Sequence, residues 1–105
     1  EGLQRGDVDI NTPVDEVGDT LLHTAASHGA VEMMKVLVEY GSFLYAKNSL
    51  GCTPMHAAAM SGMPDAVRWL LNRGGEPRDS DSEGYCPMHY AAGEGHLETV
   101  RVLVE

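Results

Sequence analysis

Apolar residues recur at the spacing of one helix face in two stretches of the chain. Val31, Met34, Leu37 and Val38 form the first stripe, and Ala66, Val67, Leu70 and Leu71 the second. Pro64 and Asp65 suit the opening turn of the second helix, where a missing amide costs nothing and a carboxylate meets the positive end of the helix. Away from the stripes, Glu32 precedes Lys35, Asp65 precedes Arg68 and Glu98 precedes Arg101. Such i,i+3 pairs mark a solvated face and add ~0.2–0.5 kcal/mol each. A shorter helix is predicted ahead of each long one. Pro54 and Pro87 sit near two of its starts and Leu21 takes that place in the first copy, while Ala25-Ala26, Ala58-Ala59 and Ala91-Ala92 are small enough for close helix approach. Gly29, Gly62 and Gly95 end the short helices, and Gly41 and Gly74 end the long ones. Turn chemistry follows in Lys47-Asn48-Ser49-Leu50-Gly51 and in Ser80-Asp81-Ser82-Glu83-Gly84.

These elements repeat. Gly18-Asp19-Thr20-Leu21-Leu22-His23-Thr24-Ala25-Ala26 returns 33 residues later as Gly51-Cys52-Thr53-Pro54-Met55-His56-Ala57-Ala58-Ala59, and again as Gly84-Tyr85-Cys86-Pro87-Met88-His89-Tyr90-Ala91-Ala92. The register continues through Glu32, Asp65 and Glu98, then Lys35, Arg68 and Arg101, then Leu37, Leu70 and Leu103. One helix pair cannot bury its apolar stripe alone. Copies stacked side by side can, and the result is a solenoid with an extended surface and no central cavity.

Composition narrows the partners. The chain has 105 residues, 43% of them hydrophobic, and a formal net charge of −9. Nucleic acids and anionic membrane surfaces attract Lys and Arg, so this sign argues against both. A protein partner with a basic or neutral patch fits better, because complementary potential speeds encounter. No apolar run approaches the ~20 residues of a membrane span. Two cysteines do not make a disulfide framework, so a reducing compartment, cytoplasmic or nuclear, is expected.

Candidate chemistry is sparse. His23, His56 and His89 each hold the same place in their own repeat, and stacked helices ~8–10 Å apart cannot share one ion through ~2 Å bonds. They are read as buried imidazoles bonded to the turn near Thr20, Thr53 or its counterpart. Cys52 is expected to be exposed on a turn and Cys86 partly buried, with neither reactive and no disulfide between them. No nucleophile elbow, phosphate loop or HExxH motif occurs, so no catalytic residue, metal or cofactor is assigned. Ser80-Asp81-Ser82-Glu83 reads as a solvated acidic turn, with modification of Ser80 or Ser82 by an acidophilic kinase as the alternative. Trp69, where the other copies have Val36 and Val102, is expected to pack between repeats.

The period and the runs Thr53-Pro54-Met55-His56-Ala57-Ala58-Ala59 and Gly95-His96-Leu97-Glu98 resemble the ankyrin repeat. Leu3, Gly6 and Val8-Asp9-Ile10-Asn11 resemble the tail of a preceding repeat. The implied fold is an all-α solenoid of stacked helix-turn-helix units with β-turn or hairpin connections. It forms one domain: residues 1–17 as a tail, 18–50 and 51–83 as full repeats, 84–105 as a partial repeat. Such a chain reads as a piece of a longer array. Leu21 stands where the family has proline, Cys86 where it has threonine, and Phe43-Leu44-Tyr45 and Glu76-Pro77-Arg78 where it has Asp-Val-Asn. These departures are expected to weaken hydrogen bonding at those turns.

The resemblance implies a non-enzymatic module that binds a protein partner on its concave face. The alternative is a targeting or regulatory arm of a larger multidomain enzyme or signalling protein. Positions that differ among the copies are the candidate contacts. On the turns these are Asp15, Glu16, Val17 and Asp19, then Lys47, Ser49, Leu50 and Cys52, then Ser80, Ser82, Glu83 and Tyr85. On the short helices they are Ser27 and His28, Met60 and Ser61, and Glu94. Turn tips project and their side chains are not needed for burial, which supports the same choice. The oligomeric state is open, with a monomer expected.

Overall fold

A computed structural model describes residues 9–105. Six helices follow in pairs: α1 Leu21–Ser27 and α2 Val31–Glu39, α3 Pro54–Met60 and α4 Pro64–Asn72, α5 Pro87–Gly93 and α6 Leu97–Val104. The described residues contain no strand. The chain is elongated, 47 × 26 × 20 Å. The short helices α1, α3 and α5 form one row and the long helices α2, α4 and α6 a second. The resemblance of Leu3, Gly6 and Val8 to a preceding repeat lies outside the described residues.

Each short helix starts at a cap that the sequence repeats. The Thr20 and Thr53 hydroxyls accept from the His23 and His56 amides at 3.4 Å, while the two threonine amides donate back to Nδ1 of the same histidines at 3.0 and 3.1 Å. Orphan amides at the helix start are thereby satisfied from both directions. In the third copy a cysteine holds this place: the Cys86 amide donates to His89 Nδ1 at 3.0 Å, and its sulfur lies 3.3 Å from the same nitrogen. Each short helix ends in a Schellman pattern. Gly62 donates to Ala59 and Met63 to Ala58, at 3.2 and 2.9 Å, with Gly62 at φ +69.

The core runs between the two rows. Leu22, Met34, Met55, Val67 and Val102 are buried in it, together with Ala26, Ala58, Ala59, Ala66 and Ala91. The alanines let the short helices pack closely. Of the two apolar stripes, Met34, Leu37, Ala66, Val67 and Leu70 are buried, and Val31, Val38 and Leu71 pack half-buried against them. Glu32–Lys35, Asp65–Arg68 and Glu98–Arg101 form exposed ion pairs at 3.2, 3.5 and 2.7 Å. Trp69 packs half-buried against the core, with the Arg73 guanidinium 4.9 Å above its ring.

The turns between repeats are tight and linked to one another. Asn48 donates its amide to Cys52 and Asp81 to Tyr85, at 3.0 and 2.8 Å, which closes each loop on itself. The next bond runs between loops: Ser49 donates to the Val17 carbonyl at 2.7 Å and Ser82 to the Leu50 carbonyl at 2.9 Å. The expected weakening at Phe43-Leu44-Tyr45 is corrected. Asn11 Oδ1 accepts from the Phe43 amide at 2.8 Å, and the Tyr45 hydroxyl donates to the Gly74 carbonyl of the following repeat at 2.8 Å. Side chains thus supply bonds at a departure from the family pattern.

Candidate functional site

The turn tips stand over the row of short helices, and a hollow of about 230 Å³ lies in the angle between them. Val17, Asp19, Asn48, Leu50 and Cys52 line it from the turns. His23, Ser27, Ala57, Met60 and Ser61 line it from α1, α3 and the end of α3. Val17, Leu50 and Met60 are exposed by 39, 57 and 38%, so the hollow presents apolar surface to solvent that the core does not need.

Two side chains at equivalent places, Asn48 and Asp81, hold the turns in place. Asn48 Oδ1 accepts from the Leu50 and Cys52 amides at 2.9 and 3.0 Å, and its Nδ2 donates to Asp19 Oδ1 at 2.8 Å. Asp81, the same position one repeat on, accepts from the Glu83 and Tyr85 amides, both at 2.9 Å. Its other oxygen accepts from the Tyr90 hydroxyl and lies 3.7 Å from the Cys52 sulfur. Asp15 accepts from the Asp19 amide at 2.9 Å.

The histidines are tied into the same frame. His23 Nε2 lies 2.8 Å from the Cys52 carbonyl oxygen, and His56 Nε2 lies 2.9 Å from that of Tyr85. The threonine amides can only donate and the carbonyls can only accept. Both rings are therefore neutral, with the proton on Nε2. Burial pushes the His56 imidazole below its ordinary value. Neither ring has a nitrogen left to serve as a base or a metal ligand.

Electrostatics around Asp81 follow from its partners. Burial alone would raise its carboxyl. The Tyr90 hydroxyl and the Tyr85 and Glu83 amides outweigh that effect and hold it at about 2. The same contact pushes the Tyr90 hydroxyl well above its ordinary value. Burial, with Asp81 beside it, also raises the Cys52 thiol, the reverse of what a nucleophile requires.

Several of the positions chosen from the sequence line this hollow. Leu50, Met60, Ser61 and Asp19 line the hollow, and Asp15 and Glu16 are exposed on the turn beside it. Glu83 and Tyr85 are exposed on the next turn, Ser80 is exposed, and Glu94 is exposed at the end of α5. His28 is exposed at the C-cap of α1, its Nδ1 bonded to the Thr24 carbonyl at 2.8 Å. Lys47 is exposed and sits 3.5 Å from Asp79.

Three expectations are corrected. Cys52 is 5% exposed and not open on the turn, because its chain turns inward to begin the cap of α3. Asp81 is not part of a solvated turn: it is 8% exposed, drawn in by the two amides and Tyr90. Ser49 and Ser82 are exposed, yet their hydroxyls donate to the Val17 and Leu50 carbonyls at 2.7 and 2.8 Å and so belong to the scaffold. Conversely, Asn48 and Ala57 belong to the hollow without having been chosen as contacts. Ala57 carried a usable signal, since the residue after the repeated histidine changes from Thr24 to Ala57 to Tyr90.

Among the described residues no helix is long and apolar enough to cross a membrane. The family model described as "Ankyrin repeats (3 copies)" matches residues 3–81 and 44–105. No curated protein matches the chain.

Proposed function

Because the chain belongs to the ankyrin-repeat family, whose members are generally protein–protein interaction modules, we propose that it binds a partner protein on the concave side formed by its turns and short helices, with no chemistry of its own. The hollow under Leu50 and Met60 carries this reading. Apart from His23, it is built from positions that vary among the repeats, on a frame of positions that do not. Interface energy concentrates in apolar and aromatic anchors ringed by polar groups, and Leu50, Met60 and Tyr85 have that setting. The raised Cys52 thiol and the fully bonded, neutral His23 and His56 leave these groups to structure.

The test compares two double variants of the full chain. Proteins recovered from lysate on the parent chain are expected to be lost from Leu50→Ala/Tyr85→Ala and kept by Glu32→Gln/Glu98→Gln on the opposite face. Thermal melting of both variants should stay near that of the parent. Retention on the first variant with loss on the second would overturn the reading.

A further inference from the structure

We infer that the partner segment carries one large apolar side chain with lysine or arginine on both sides of it; this rests on the concave-face reading above. At about 230 Å³ the hollow falls below the ~300–1,000 Å³ of small-molecule sites, and it suits a single side chain better than a free ligand. Its exposed walls at Val17, Leu50 and Met60 are apolar, and Ala57 leaves room between them. A side chain entering there removes apolar surface from water on both partners, worth about 25 cal/mol per Å² before the costs of ordering.

The charges around the hollow set what must flank that side chain. Asp19 is in its wall, with one oxygen held by Asn48 Nδ2 at 2.8 Å and the other without a bond among the described residues. Glu16 is exposed on the first turn, and Glu83 and Glu94 are exposed toward the third repeat. The turn tips over 14–19, 47–52 and 80–85 and the three short helices carry a single lysine or arginine, Lys47. Asp79 lies 3.5 Å from its ammonium. The neutral ring of His23 adds no positive charge. Carboxylates thus bracket an apolar cup on both sides, a pattern that attracts a cation–apolar–cation segment and repels an acidic one.

Random peptides displayed on phage and selected on the full chain are the probe. Recovered peptides are expected to hold Leu, Met or Phe with Lys or Arg on each side. Synthesised and titrated by calorimetry, they should bind about tenfold or more weakly to Leu50→Ala/Met60→Ala, as anchor truncations do. They should bind about threefold or more weakly to Glu16→Gln/Glu83→Gln/Glu94→Gln, and lose affinity as salt rises. Acidic or neutral peptides that still depend on Leu50 and Met60 would overturn this inference and leave the concave-face reading standing. Basic peptides indifferent to the Leu50/Met60 pair overturn the anchor and with it the inference, as does a selection that enriches nothing. Peptides indifferent to both variants overturn the inference and the concave-face reading together.

Discussion

The Nε2 of His23 lies 2.8 Å from the carbonyl oxygen of Cys52, one repeat further along the chain. His56 makes the same reach to Tyr85 at 2.9 Å. Each imidazole therefore does two jobs. Its Nδ1 caps its own helix, and its Nε2–H fixes the next turn against the helix row, which sets the distance across the hollow.

Replacing His56 with phenylalanine should keep the volume and break both bonds. The buried Thr53 amide then loses its partner, while the Tyr85 carbonyl keeps the Asp81 amide at 2.8 Å, and a buried unpaired group costs about 1–3 kcal/mol. Urea unfolding of His56→Phe is expected to show a loss of about 1–3 kcal/mol on that basis. His89→Phe, at an exposed site whose ring nitrogen meets only Cys86 among the described residues, at 3.0 and 3.3 Å, should lose less than half as much.

Stability should fall toward acid in two separate windows. His56 has a folded value below its ordinary 6.5, so the unfolded chain takes up its proton first, and this share of stability is present above that pH and declines below it. Asp81 is held at about 2 against an ordinary 3.8, so its share is present above roughly 4 and is lost as pH falls toward 2. Tyr90→Phe removes the hydroxyl from Asp81 and should move the second loss to higher pH. Circular dichroism followed through an acid titration of both proteins measures the difference; superimposable curves would count against the Asp81–Tyr90 contact.

Two equivalent glycines should respond unequally to alanine. Gly62 and Gly95 both hold positive φ, +69 and +77. A Cβ on Gly62 would meet the His96 ring at 2.5 Å, whereas one on Gly95 meets nothing within 4 Å. Gly95→Ala should cost about 1–2 kcal/mol for the left-handed backbone alone. Gly62→Ala should cost clearly more, since the ring whose Nε2 bonds the Met60 carbonyl at 3.0 Å must move. Denaturant midpoints of the two variants decide it.

The two thiols should differ in rate. Cys52 is buried, with its thiol pushed up by burial and Asp81, while Cys86 is half-exposed. A chromogenic disulfide reagent at neutral pH is expected to modify Cys86 quickly and Cys52 only at the rate of opening. In denaturant both should react alike. Equal rates in the folded protein would contradict the burial of Cys52.

The fold was legible because its signals are local and repeated. Prolines at 54 and 87, the threonine–histidine boxes and the helix-ending glycines act within a few residues, and a fixed period multiplies them. The site was legible only in part. Variation among the copies pointed to Leu50, Met60 and Tyr85, but the same criterion also selected Cys52, Ser49 and Ser82. Variability marks a position freed from the scaffold of every repeat; it does not mark one freed from a bond particular to its own.

By itself the sequence determined the paired helices of the described residues, the residues that cap them and the excess of carboxylates. The tertiary structure decided which side chains stay exposed and which are taken up in bonds between repeats. Asn48 and Asp81 occupy equivalent places, yet one ties down Asp19 and the other is drawn in beneath Tyr90. The Cys52 sulfur lies beside Asp81, and the Ser82 hydroxyl reaches the Leu50 carbonyl. These contacts join residues up to 32 positions apart in the chain. Their partners are chosen by how one repeat settles on the next, and burial in that seam is a property of two repeats together that no single repeat encodes.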